Sequence, residues 1–401
     1  MCDDDEEEQQ DEIVEIEPGT CLRDVWAVVR QIGRGAYGQV YHVLNIKTGV
    51  QAALKAESKS QQDRVLKMER DVLQSFKGVK GAMQLLSMGT TDTYSYIIMT
   101  LCGADLSSII KTMKTLTDGT VLLVALRTLL ALKQLHEIGF VHRDIKPCNF
   151  AISHSSNRII HVIDFGMTRR YAVKDKGEWK IKRRRAKIAF RGTLRYCSTG
   201  VHYRNEQGRV DDLWSWVYMC IELKDPLPWS QLAHPEAILG SKEDTSIEKI
   251  CASEITKTFI PIAKLFQNLG YFDRPEYQKI SEMLLQEIAR LKVKLADPYE
   301  WEGKMSDPEA TAKLTEVCNK YNLKFEDLPH TICDDATEES ESKYIRDVFA
   351  PHPSDVPGGE RYEEKKRKSS ERRNADANAS TPVTNAKLRR KGSEIADKEV
   401  K

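Results

Sequence analysis

His142-Arg143-Asp144-Ile145-Lys146-Pro147-Cys148-Asn149 is a polar, proline-bearing loop set directly behind an apolar helical stretch, Val121 to Leu135. A loop this dense in polar groups, carried by an apolar scaffold, is where reactive side chains are usually held. Three of its residues differ in kind, and each kind suits a separate task in moving a phosphoryl group. Asp144 can orient a hydroxyl nucleophile and accept its proton. Lys146 can neutralise charge building on the transferred group. Asn149 offers a neutral oxygen ligand to a hard cation such as magnesium. Asp164-Phe165-Gly166 follows 20 residues after Asp144, and its carboxylate supplies an anionic ligand to the same class of ion.

Working toward the N-terminus, Gly33-Arg34-Gly35-Ala36-Tyr37-Gly38-Gln39-Val40 is a glycine cluster between two β-type runs, Val28 to Ile32 and Val40 to Leu44. The same glycine spacing marks dinucleotide-binding units, but there a helix follows the glycines. Here Gln39 to Leu44 is β-branched and alternating, so the segment is expected to be a hairpin, which argues against an oxidoreductase. Glycines in such a hairpin let backbone N–H groups approach phosphates without interference from Cβ. Ile32 and the whole run from Gly33 to Val40 are therefore candidate ATP contacts. A third strand, Val50 to Lys55, carries Ala53-Leu54-Lys55. Val65, Glu69, Val72, Leu73 and Phe76 recur at helical spacing, which puts Glu69 on the apolar face. A carboxylate there needs a cationic partner, and Lys55 is the natural one.

The remaining chain bounds these readings. It has 401 residues, 40% of them hydrophobic, enough for about two to three domains or one large bilobal unit. Lys plus Arg (61) nearly cancels Asp plus Glu (60), so net charge implies neither nucleic acid nor membrane. Nine Cys without paired spacing argue against a disulfide framework and for a reducing compartment. With no apolar leader after Met1 and no 18-residue apolar run, a cytoplasmic and monomeric protein is expected. Residues 1–25 read as an acidic disordered arm and 26–297 as the folded domain, its small lobe 26–102 and large lobe 103–297 dividing at Gly103. A partly helical extension follows over 298–337. Residues 338–401 read as a disordered tail with basic clusters at Lys365 to Lys368 and Leu388 to Lys391 that could serve nuclear import.

Taken together, the motifs resemble the eukaryotic protein kinase family over about Trp26 to Leu295. The resemblance implies an α+β, bilobal fold: a small antiparallel β lobe with one helix, and a large helical lobe. ATP and Mg2+ would bind between them. Lys146 resembles the Ser/Thr branch. The usual Ala-Pro-Glu is absent; Gly192-Thr193-Leu194-Arg195-Tyr196-Cys197-Ser198, Arg209-Val210-Asp211-Asp212-Leu213-Trp214-Ser215 and Leu227-Pro228-Trp229 look like the casein kinase 1 superfamily. Phe190-Arg191-Gly192-Thr193, Lys67-Met68-Glu69 and Pro298 to Trp301 lean toward its tau-tubulin kinase branch. By resemblance, Thr193 bonds the catalytic Asp and Lys, and Met99 is the gatekeeper with Leu101 in the hinge. Val40, Ala53 and Ala151 line the adenine slot; Leu73, His142, Phe165 and Asp212 form the regulatory spine.

Between Asp164 and Thr193 the only hydroxyl-bearing residues are Thr168 and Tyr171. An enzyme that needs no activation-segment phosphorylation is expected. Arg183, Arg184, Arg185 and Lys187, with Arg191 and Arg195, form a candidate docking surface for acidic or pre-phosphorylated substrates; the family resemblance also implies cytoskeletal ones. Cys148, beside the metal-ligating Asn149, reads as a spectator thiol. The rival function is a pseudokinase scaffold. Retention of Lys55, Glu69, Asp144, Lys146, Asn149 and Asp164 argues against it.

Overall fold

A computed structural model describes residues 14–359, apart from 36–37, 60–63, 155, 157, 306 and 330–336. The small lobe is a six-stranded antiparallel sheet in the order β1-β2-β3-β4-β6-β5. Its strands are β1 (Cys21–Leu22), β2 (Trp26–Gly35), β3 (Gly38–Asn45), β4 (Gln51–Ser58), β5 (Leu85–Thr90) and β6 (Tyr94–Thr100); α1 (Arg64–Ser75) lies between β4 and β5. The glycine cluster is the expected hairpin, with Gly35 paired to Gly38. Gly38 lies flush on β4: a Cβ there would sit 2.3 Å from the carbonyl oxygen of Ala56. β7 (Cys102–Asp105) leaves the small lobe and pairs with β9 (Phe150–Ser153), so the chain changes lobes at the expected place.

The large lobe is built on α3 (Asp118–Glu137), which follows the short α2 (Leu106–Met113). Thr117 caps α3 by accepting the Thr120 N–H, and the helix is buried around its whole circumference, the state of a helix enclosed on all sides. It is the one described helix long and apolar enough to cross a membrane, and 94% of its apolar window is buried inside the protein. Beyond it, β8 (Phe140–Val141), β9 and β10 (Ile160–Val162) frame the polar loop. β11 (Arg169–Arg170) pairs with β8, and β12 (Ala172–Asp175) forms a hairpin with β13 (Glu178–Ile181). The helices α4 (Thr199–His202), α5 (Arg209–Glu222), α6 (Pro235–Asp244), α7 (Ile247–Ile250), α8 (Phe259–Lys264) and α9 (Tyr277–Arg290) complete the lobe. Trp216, Trp229 and Phe259 fill the core between them.

Two boundary readings need correction. The folded unit begins by Val14, not Trp26. Val14 and Ile16 are buried against Trp26, Tyr41 and Tyr96, and the Tyr41 hydroxyl donates to the Val14 carbonyl at 2.7 Å. Acidic neighbours mask this short Val-Glu-Ile-Glu alternation. At the other end, α10 (Pro308–Lys320) is the expected helix, and it packs Leu314, Val317 and Cys318 onto Ala27, Val29 and Leu44 of the sheet. Residues 338–359, read as disordered, are folded. Helix α11 (Glu338–Phe349) buries Ile345 and Phe349 against the large lobe. Its Glu341 pairs with the buried Arg127 at 2.5 Å, and the Tyr344 hydroxyl donates to the Lys80 carbonyl at 2.8 Å.

A strap, residues 350–359, continues from α11. Val356 is fully buried with Val141, Tyr171 and Ala172. Arg209 donates to the carbonyls of Val356 (2.7 Å), Pro357 (3.0 Å) and Asp273 (3.2 Å). Trp179 of β13 donates to Ser354 O at 2.8 Å, and the Val356 N–H donates to Glu137 at 2.6 Å. The expectations for residues 1–13 and 360–401, basic clusters included, fall outside the described residues.

Candidate active site

The loop 142–149 is held from below by one carboxylate. Asp212, buried on α5, accepts the backbone N–H groups of His142 (2.7 Å) and Arg143 (2.8 Å) and faces His136 Nε2 at 2.9 Å. Burial disfavours its charge, but the His136 contact and those N–H bonds outweigh burial and lower its pKa. Arg143 is held at φ +72°, a strained backbone region for a non-glycine residue. The strain is locked in because Gly192 packs on it: a Cβ at Gly192, itself at φ +118°, would lie 2.6 Å from the Arg143 carbonyl oxygen.

Asp144 is 5% exposed and has a partner on each side. Thr193 Oγ1 donates to Oδ1 at 2.7 Å, Lys146 Nζ lies 2.7 Å from Oδ2, and Asn149 Nδ2 reaches Oδ2 at 3.3 Å. Desolvation works against the Lys146 ammonium, but the Asp144 bond prevails and raises its pKa, so it stays charged. Asn149 also donates to the Asp144 carbonyl at 2.7 Å. Its amide nitrogen is thus committed to the loop, leaving its oxygen as the group able to serve a cation. Asp164, exposed and at φ +61°, carries the second oxygen donor set. Two hard oxygen ligands fit magnesium, which would complete its shell from phosphate and water; the Cys148 thiol lies 3.7 Å from Asn149 Oδ1.

Lys55 and Glu69 meet at 2.5 Å across the β4–α1 interface. Burial opposes the ammonium, but Glu69, Asp164 and Glu57 together raise its pKa; burial raises the Glu69 carboxyl, with Lys55 countering. Each partner of this close contact opposes the desolvation of the other. Above it, Val40 is half-buried while Ala53 and Ala151 are buried. Met99 is half-buried opposite Ala53. Leu101 is buried and its carbonyl is engaged by the His154 N–H at 3.4 Å. Ile32 is 38% exposed, Arg34 is exposed and Gln39 is buried. Ala36 and Tyr37 lie outside the described residues. Phe165 packs between His142 (edge-on, 6.2 Å) and Phe76 (tilted, 6.0 Å), with Leu73 fully buried in the same cluster.

The docking candidates do not form one open patch. Arg185 is engaged with the buried Glu206, Arg184 donates to Asn205 Oδ1 at 2.7 Å, and Arg195 contacts Glu222 at 3.2 Å. Arg183, Lys187 and Arg191 are exposed. The sequence reading missed Glu206 because its cations come from remote segments. Thr168 is 3% exposed, and Tyr171 is fully buried with its hydroxyl on the His136 carbonyl at 2.8 Å. At Cys148, desolvation raises the thiol pKa, so the thiol is not activated.

One carboxylate beside the loop titrates near neutrality. Asp211 accepts from Ser198 Oγ at 2.5 Å and from the Gly208 N–H at 2.8 Å, yet burial pushes its pKa up to about 6. Its folded value exceeds the unfolded one, so its contribution to stability is full below about pH 4 and is lost as pH rises through about 6. Thermal melts of wild type and Asp211→Asn across this range should show wild type gaining on the variant as pH falls, by on the order of 1–3 kcal/mol. A difference independent of pH would refute the assignment.

The fold and this site define a class. Residues 26–294 match the family model for the protein kinase domain, and the chain belongs to the protein kinase family. Its relatives are more particular. A putative serine/threonine-protein kinase of Caenorhabditis elegans is 32% identical over 314 residues, 77% of this chain and 89% of the relative. A putative casein kinase I of the same organism is 30% identical over 300 residues, 72% of this chain and 86% of the relative. An inactive tau-tubulin kinase, also from that organism, is 31% identical over 232 residues, 55% of this chain and 79% of the relative. The chain is thus similar to both casein kinase I and tau-tubulin kinases.

Proposed function

We propose that this protein is an active Ser/Thr kinase that transfers the γ-phosphoryl group of ATP to protein hydroxyls without prior phosphorylation of its activation segment. The observation that carries this reading is the Asp144 carboxylate held by Thr193, Lys146 and Asn149 with a buried Lys55–Glu69 pair beside it. Asp144 orients the substrate hydroxyl and accepts its proton, while Thr193 fixes the carboxylate's direction. Lys146 stabilises charge on the transferring group, and Lys55, anchored by Glu69, holds the α- and β-phosphates. Asn149 and Asp164 would hold magnesium, which when bound supplies positive charge to the phosphate oxygens. Val40, Ala53, Ala151 and Met99 line the adenine slot, and the hairpin glycines Gly33, Gly35 and Gly38 let the backbone approach the phosphates.

Lys187 and Arg191 support a preference for acidic or pre-phosphorylated substrates, narrower than the six-residue patch read from sequence. Cytoplasmic residence and a monomeric state complete the reading. The test is transfer of labelled γ-phosphate by phosphatase-treated protein to Ser, Thr and Tyr peptides with neutral, acidic or phosphorylated flanks. Magnesium-dependent labelling of Ser and Thr, strongest on the anionic peptides, is expected. Background labelling of every peptide would favour the scaffold reading, and labelling blind to the flanks would remove the substrate preference.

A further inference from the structure

Glu206 lies between α4 and α5, its side chain fully buried, where two remote segments deliver cations. Arg185, from the activation segment, binds it through both Nε and Nη2, the latter at 3.0 Å. Arg169 of β11, just beyond Asp164, lies 3.3 Å from Oε1. Arg143 of the catalytic loop joins the same region through its side chain: its Nε donates to the Met167 carbonyl, two residues before Arg169, at 2.6 Å, and burial, then Arg169, and also Arg185 disfavour its charge while Glu206 opposes them. The adjoining residues take up the same segment. Gln207 Nε2 donates to the Arg191 carbonyl at 2.9 Å, and the Ile188 N–H donates to the Arg204 carbonyl at 3.2 Å.

A cluster of this kind is unstable without an anion at its centre, since like charges so close repel and each is partly desolvated. Kinases commonly supply the anion by phosphorylating the activation segment, which orders it through new Arg contacts. That route is closed here, because no Ser, Thr or Tyr occurs between Ala172 and Gly192. We propose that Glu206 is a positioning residue that does the work of an activation-segment phosphate, joining Arg185 and Arg169 and neutralising Arg143 so that the catalytic loop and activation segment share one fixed arrangement. It touches no substrate; it acts through Arg143, next to the proton-accepting Asp144. The kinetic half of this inference rests on the kinase reading above, and the structural half does not.

Three variants test it: Glu206→Gln, which keeps the shape and removes the charge; Glu206→Ala, which leaves room for an anion; and Arg185→Gln, which breaks the pair from the other side. Hydrogen exchange over residues 183–191 and steady-state kinetics are measured with millimolar inorganic phosphate or with sodium chloride at equal ionic strength. All three variants should exchange faster in that segment and lose about ten- to hundredfold in kcat, the worth of one charge-assisted contact, with KM for ATP unchanged. Phosphate, but not chloride, should restore both protection and kcat to Glu206→Ala. Wild-type exchange and kcat in the variants, or equal recovery with chloride, would overturn the proposal. Faster exchange rescued by phosphate in a protein whose wild type transfers nothing would uphold the positioning role and sink the kinase reading instead. If Glu206→Ala does not fold, Glu206→Gln and Arg185→Gln decide the question by whether they change exchange and kcat together.

Discussion

Replacing Asp144 by Asn is expected to lower kcat by about 10²–10⁴-fold, the usual contribution of a positioned acid–base group, while nucleotide binding persists. The variant keeps an oxygen to accept from Thr193, so the loop retains its main anchor. It loses the base and the Lys146 ion pair. The nucleotide contacts proposed above come from Lys55 and the glycine hairpin on other elements, so ATP-dependent thermal stabilisation should be close to that of wild type. Turnover near wild type would show that Asp144 is not the proton acceptor. Loss of ATP stabilisation together with turnover would mean that the substitution damaged the site as a whole.

The second large effect concerns the far end of the fold. Ending the chain after residue 337 removes Ile345, Phe349 and Val356, all buried. At about 1.5–3 kcal/mol for each such side chain, roughly 5–9 kcal/mol of apolar burial is lost, an upper estimate because an unfolded chain is already partly compact. Arg209, fully buried, also loses two of its carbonyl acceptors, and Arg127 loses Glu341. Total stabilities are commonly about 5–15 kcal/mol, so the shortened protein is expected to be unfolded or to melt far below a control ending at Gly359. Equal melting temperatures would show the strap to be a passive passenger.

Much of the small lobe and the reactive loop was legible because their signals are local. Alternation fixed the strands, glycine spacing the hairpin, and the helical period brought Glu69 onto the face that meets Lys55. The same logic failed where packing partners are distant. Val14 and Ile16 sit among glutamates, so composition outweighed a two-residue alternation. In α11, Tyr344, Ile345, Val348 and Phe349 do recur at helical spacing, but the surrounding Glu and Ser read as solvated tail. Val356 and Glu206 carry no local pattern at all. Their meaning comes from Tyr171, Arg209, Arg169 and Arg185, and no sequence period links those positions. The docking reading erred for the same reason: a basic run looks free until the acid that binds it is located.

Because α10 covers the sheet and α11 and the strap close the large lobe, the order of synthesis matters. A chain emerging from the ribosome with its N-terminus first can complete neither lobe when residue 300 has appeared, although every residue of the candidate site is already outside. The outer face of β2 and β3 waits for Leu314 and Val317, and the Tyr171 pocket waits for Val356. Maturation is therefore delayed until translation has passed residue 359, and a nascent chain stalled before then exposes apolar surface of the kind chaperones bind.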